Sequence, residues 1–184
     1  MSEVIKILGI SGSLRRNSYN SAALKAAQEL QPEGVIIEIA DISQIPFFNE
    51  DLEAEGVPLV VEEFKKNIAE ADALLIATPE YNYSIPPVLK NALDWASRAG
   101  KPLDGKPLGI ISASTGMFGG ARVQYHLRQV CVGLNLQPLN KPEVFIMNAH
   151  TKFDKSGALN DEFTRNAISK LLQGLVIKTL QLKK

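Results

Sequence analysis

The chain has 184 residues, with 20 Lys+Arg balanced by 20 Asp+Glu and a single cysteine; it is long enough to bury a core without a disulfide or metal staple. A zero net charge lacks the basic excess usual in a polyphosphate binder, so no nucleic-acid partner is expected, and apolar runs such as Ala73–Ala77 fall far short of the ~20 residues a membrane span needs. The lone Cys131 allows no internal disulfide framework, and the N-terminal Met1-Ser2-Glu3-Val4 lacks the apolar core of a signal peptide, so one soluble cytoplasmic domain over 1–184 is expected.

The apolar run Val4–Ile10 reads as a buried strand leaving into the turn Ser11-Gly12-Ser13. Ser18–Leu30, rich in alanine, is a helix. Val35–Ile39 is a short β-branched strand, and Pro46–Pro58, with its acidic cluster, reads as an irregular surface loop. Val57–Ala71 places Val60, Val61, Phe64 and Ile68 at helical spacing. Ala73–Thr78 is a strand stopped by Pro79, Val88–Arg98 a helix, and Leu108–Ala113 a further buried strand. Gly120–Val132 is a fourth helix, Glu143–Met147 a fifth strand, and Asp161–Leu180 a last helix with Phe163, Ala167, Leu171 and Leu175 on one face.

Strands alternating with helices imply a parallel sheet covered on both faces. Five such units in this length predict an α/β, three-layer doubly wound, flavodoxin-like fold with a five-stranded parallel sheet in the order 2-1-3-4-5. Ligands in such sheets bind outside the carboxyl ends of the strands, where the order reverses, which selects the loops after strands one, three and four.

The first loop, Gly12–Asn20, carries hydroxyls, amides and two arginines and opens a helix whose N-terminal amides favour an anion. That chemistry suits a phosphate monoester, although a polar cap at Ser18 with solvated arginines is the plainer alternative. Neither a Walker A loop nor a Gly-x-Gly-x-x-Gly fingerprint is present. The loop Pro79–Pro87 is stiffened by proline at both ends and offers Tyr81 and Tyr83 as flat faces; it suits the edge of a heteroaromatic ring, or is simply a strand-to-helix connection. The loop Ser112–Gly120 has hydroxyls and glycines that permit close backbone approach to a ligand. It misses the Gly-x-Ser-x-Gly elbow at Ser112, and Cys131 reads as a buried structural thiol and His126 as a packing or surface residue. No His/Cys/carboxylate cluster has metal-ligand spacing.

Gly12-Ser13-Leu14-Arg15 with Ser18 and Asn20, Pro79–Ser84, and Leu89–Trp95 together resemble the NADPH-dependent FMN reductase family. Gly119–Arg122 and Tyr125–Gln129 are similar to its chromate and quinone reductase branch. The similarity runs from Ile7 to about Glu143, and Pro87 departs from the glycine common among relatives. The resemblance implies that FMN phosphate sits at Ser13, Leu14, Arg15, Ser18 and Asn20, and that the ring lies along Pro79, Glu80, Tyr81 and Asn82, with Ser114 also in contact. Arginine suits phosphate by its fork geometry, whereas the Glu80 carboxylate would repel it, so its side chain is expected to point elsewhere.

The implied activity is a ping-pong hydride relay from NADPH or NADH through FMN to quinones or other small acceptors, among them azo, nitroaromatic and chromate compounds. Because the cofactor carries the chemistry, no catalytic side chain is expected. The resemblance further implies a homodimer or homotetramer, with Trp95, Met117 and Phe118 as interface anchors and Arg122, Tyr125 and Glu143 in a network between dimers; a core position is the alternative for Trp95. Two other classes stay open: a flavodoxin-type electron carrier, which the zero net charge disfavours, and a flavin-free phosphate-binding module on the same fold.

Overall fold

A computed structural model describes residues 4–183, so the lead-in at Met1–Glu3 lies outside the described residues. Strands β1 (Ile5–Ser11), β2 (Val35–Ala40), β3 (Ala73–Thr78) and β4 (Pro107–Ala113) form a parallel sheet in the order β2-β1-β3-β4. The edge beyond β4 is taken by two short pieces, β5 (Gln137–Pro138) and β6 (Val144–Ile146). The topology is therefore the expected 2-1-3-4-5, but its fifth position is interrupted rather than one strand over Glu143–Met147. Pro138 and Pro142 have no N–H to place in a ladder, which confines such a run to an edge and breaks it.

Helices α1 (Tyr19–Glu29) and α6 (Glu162–Leu182) cover one face, and α3 (Leu59–Glu70), α4 (Pro87–Ser97) and α5 (Ala121–Gly133) cover the other. Side chains alternate through the sheet: Ile7, Leu75 and Ile111 face α1 and α6, whereas Leu8, Leu74 and Ile110 face α3, α4 and α5. Both faces are apolar, so the central strands β3 and β4 are buried along their whole length.

Two expectations are corrected. The Pro46–Pro58 stretch contains a short helix, α2 (Glu50–Glu55), opened by Asn49, whose side chain accepts the Asp51 amide, and by an acidic first turn. Phe163 is 80% exposed, because the buried stripe of α6 runs through Thr164, Ile168, Leu171, Leu175 and Thr179. Among the described residues no helix is long and apolar enough to cross a membrane.

Candidate active site

The carboxyl ends of β1, β3 and β4 deliver three loops to one place. A cavity of about 200 Å³ there is lined by Ser13, Arg15, Ser18 and Asn20 from the first loop, Pro79, Glu80 and Tyr81 from the second, and Ser114 from the third. Tyr19, Ala113 and Thr115, which no motif in the sequence singles out, line it as well. Of the expected residues, Asn82 is not among the lining, and Leu14 lines a neighbouring cavity instead.

The first loop needs glycine at position 12. A Cβ there would lie 2.5 Å from Thr78 Oγ1, and the Gly12 amide donates to Ala77 O at 2.8 Å, so the loop leaves β1 pressed against the end of β3. Ser18 caps α1, its Oγ accepting the Asn20 and Ser21 amides at 3.2 and 3.4 Å, which leaves its own proton to donate. Among the described residues, the amides of Arg16, Asn17 and Tyr19 have no protein acceptor, and the Arg15 guanidinium has no carboxylate partner, lying 5.5 Å from the Tyr19 ring. Unspent donors at a helix N-terminus favour an anion.

Asn20, which lines the cavity, also holds the chain at the end of β4. The Ser114 amide donates to Ile146 O of β6, so in the alternating pleat the backbone groups of Ala113 point the other way, toward β3. There β3 has ended, and Pro79 has no N–H to offer. The buried Asn20 carboxamide fills the gap, Oδ1 accepting the Ala113 amide at 2.9 Å and Nδ2 donating to Ala113 O at 3.1 Å.

The second loop is a tight turn. Tyr81 and Ser84 exchange backbone hydrogen bonds of 3.0 and 2.9 Å across Asn82 and Tyr83, which both have positive φ, 46° and 67°. That is the type I′ pattern, natural for Asn82 but costing about 1–2 kcal/mol at an aromatic residue. The Arg122 guanidinium braces Tyr83, lying 3.8 Å from its ring centre and 4.8 Å from that of Phe118. Arg122 Nε also donates to Glu80 Oε1 at 2.5 Å, and Glu80 Oε2 accepts the Val123 amide at 3.2 Å. The Glu80 side chain, 8% exposed, thus points away from the first loop and onto the start of α5.

In the third loop, Ser114 Oγ accepts the Gly116 amide at 3.1 Å. The close approach made by the glycines is to the chain itself: Gly120 has φ 81°, and a Cβ there would lie 2.7 Å from Ser112 Cβ. Ser112 is buried, its hydroxyl donating to Gly119 O at 2.6 Å and accepting from Gln124 Nε2 at 2.9 Å. Gln124 and Arg122 organise this loop from within the same subunit; for Gln124, an amide beside Val123 and Leu127 on a buried helix face is the signal the sequence offers.

Trp95 takes the core alternative: it is fully buried, its Nε1 donating to Pro46 O at 2.8 Å, so it anchors no interface. Met117 and Phe118 are exposed. Cys131 is buried, which pushes its thiol up to about 12, and His126 lies at the surface with Nδ1 3.1 Å from Ser84 Oγ. Among the described residues no group of three or more His, Cys, Asp or Glu side chains is placed to hold a metal.

The arrangement is a phosphate-grade donor set at one end and a rigid, aromatic-edged turn at the other. The sequence profile of the NADPH-dependent FMN reductase family matches residues 5–151. Over 184 residues, and 100% of both chains, the sequence is 56% identical to an NAD(P)H-dependent FMN reductase of Pseudomonas aeruginosa. It is 50% identical over 187 aligned positions to an NAD(P)H:quinone oxidoreductase of Solanum tuberosum, covering 98% of this chain and 95% of the relative. Among solved structures it is similar to FerB, a flavoenzyme NAD(P)H:(acceptor) oxidoreductase from Paracoccus denitrificans, with a TM-score of 0.88, 30% identity, and 97% of this chain and 98% of that one covered. The chain belongs to the NADPH-dependent FMN reductase family, flavin enzymes that depend on NAD(P)H.

Proposed function

We propose that this chain works as a single FMN-binding domain that reduces quinones at the expense of NADPH or NADH, with azo compounds, nitroaromatics and chromate as further acceptors. The observation that carries the reading is the convergence of the three strand-end loops on one cavity, where the Ser18 hydroxyl, the Tyr19 amide and the Arg15 guanidinium are left to donate. FMN, when bound, would supply the two-electron redox chemistry that links NAD(P)H to the acceptor, and the open face of the cleft would admit the two substrates in turn.

The residues of the chain bind and orient. The Ser18 hydroxyl, the free Tyr19 amide at the start of α1 and the Arg15 guanidinium hold the phosphate, with Ser13 and Leu14 shaping the turn around it. Asn20 serves this end indirectly, by fixing the end of β4 from which Ser114 projects. Pro79, Glu80, Tyr81 and Asn82 form the ring-edge strip, and the Arg122 brace keeps that strip in one conformation. Such pre-organisation places reacting groups close without an acid, base or nucleophile from the protein. The exposed Met117 and Phe118 beside the cavity favour a homodimer or homotetramer, and the one buried cysteine favours a reducing, cytoplasmic location.

The test is an anaerobic NADPH titration of FMN-reconstituted protein followed by flavin absorbance. Rapid bleaching, then reoxidation by added quinone, is the expected outcome. Bound flavin that stays oxidised with both nicotinamides would promote the electron-carrier reading, and no retention of FMN would promote the flavin-free module.

A further inference from the structure

A second cavity, of about 410 Å³, adjoins the first, and Arg15 and Tyr81 line both. Its other walls are mainly apolar: Leu14, Ile45, Phe47, Pro87 and Val88. Leu14 and Phe47 are 55% and 76% exposed, an arrangement that leaves large apolar side chains in water around one hollow.

The outer wall is built to stay in place. Pro46 O accepts from Asn91 Nδ2 and Trp95 Nε1, both at 2.8 Å, and Asn91 Oδ1 accepts the Phe48 amide at 2.7 Å. The Phe48 ring packs edge-on against Trp95 at 5.0 Å, with Arg98 over its face at 5.1 Å. Phe47, between these two anchored residues, is thereby held outward at the lip of the hollow. The lining contains no carboxylate and a single cation, Arg15, which the flavin cleft shares, and both polar atoms of Asn91 are engaged with the 46–48 segment. A nucleotide would bring several negative charges to this lining, whereas a neutral apolar group matches it.

We propose that this cavity binds the hydrocarbon substituent of the acceptor, making the preferred substrates quinones that carry an apolar side chain, with Phe47 and Leu14 as specificity residues and Asn91 and Trp95 as positioning residues. The inference rests on the quinone-reductase reading above. The quinone ring reaches the flavin cleft across Arg15 and Tyr81, and the side chain lies against Leu14, Ile45, Phe47 and Val88.

The experiment measures binding by calorimetry to the FMN-loaded protein, without NAD(P)H, for one benzoquinone ring bearing either a methyl group or a decyl chain. Burial of a few methylenes predicts at least about tenfold tighter binding of the decyl homologue. Phe47→Asp, at an exposed position, removes most of that advantage while ring-only binding and FMN affinity stay unchanged, and Phe47→Leu restores it. Steady-state kcat/KM for the two quinones follows the same order. Equal affinity of the two homologues, an advantage that survives Phe47→Asp, or a Phe47→Asp dimer-to-monomer change by light scattering overturns the proposal, the last by giving the face to a second copy. Equal kcat/KM for both quinones keeps the reductase and removes the pocket; selective decyl binding without any NAD(P)H oxidation keeps the pocket and removes the reductase.

Discussion

Replacing Asn20 by alanine separates its two possible duties. The carboxamide satisfies both backbone groups of Ala113, at 2.9 and 3.1 Å, in a place where Asn20 itself is 3% exposed. Truncation orphans one N–H and one C=O at about 1–3 kcal/mol each, so Asn20→Ala costs roughly 2–6 kcal/mol. That is a large fraction of the about 5–15 kcal/mol typical of a domain. The assay is urea unfolding of the FMN-free protein, followed by the fluorescence of Trp95, the one tryptophan, and by circular dichroism. The midpoint falls while the slope stays constant, because the exposed surface on unfolding is unchanged. An FMN-free stability loss below about 1 kcal/mol, coupled to a large drop in FMN affinity, would refute the clamp and return Asn20 to direct phosphate binding.

Three further outcomes are expected. Arg122→Gln leaves the Glu80 carboxylate facing no cation and frees Tyr83, so it lowers stability by about 1–3 kcal/mol and weakens FMN binding; adding Glu80→Gln recovers part of the stability, which a double-mutant cycle by thermal unfolding reads directly. Hydrogen bonds from the Ser156 hydroxyl first, then from the Ala158 amide, hold the Asp154 carboxyl down to about 2. Its folded pKa lies below the unfolded one, so its contribution is complete above about pH 4 and fades as the pH falls through 2; Asp154→Asn is less stable than the parent at pH 7, and chemical denaturation at descending pH shows the gap closing. Burial raises Cys131 to about 12, so the native protein resists a thiol reagent at pH 8 and reacts once unfolded in urea.

Periodicity and turn chemistry made most of the architecture legible in the sequence. β-branched and apolar runs of strand length, separated by helical spacings, specify a parallel sheet covered on both faces, and that topology alone selects three loops as the ligand end. Ser18 as a helix cap, Pro87 near the first turn of α4 and Cys131 as a buried thiol follow from local rules, which depend on neighbours along the chain.

What only the tertiary structure decided depends on neighbours far apart in the chain. Asn20 and Ala113 are 93 residues apart, and nothing local distinguishes an amide that binds a ligand from one that completes a strand end. Glu80 and Arg122, 42 apart, meet because the loops after β3 and β4 adjoin in the sheet, although they are separated by a whole helix in sequence. Trp95 is buried because Pro46 O lies over it, and the interrupted fifth strand reflects prolines meeting the edge of β4. Local sequence fixes which backbone conformations are cheap; which polar atoms remain free for a ligand is settled only after long-range packing has consumed the rest.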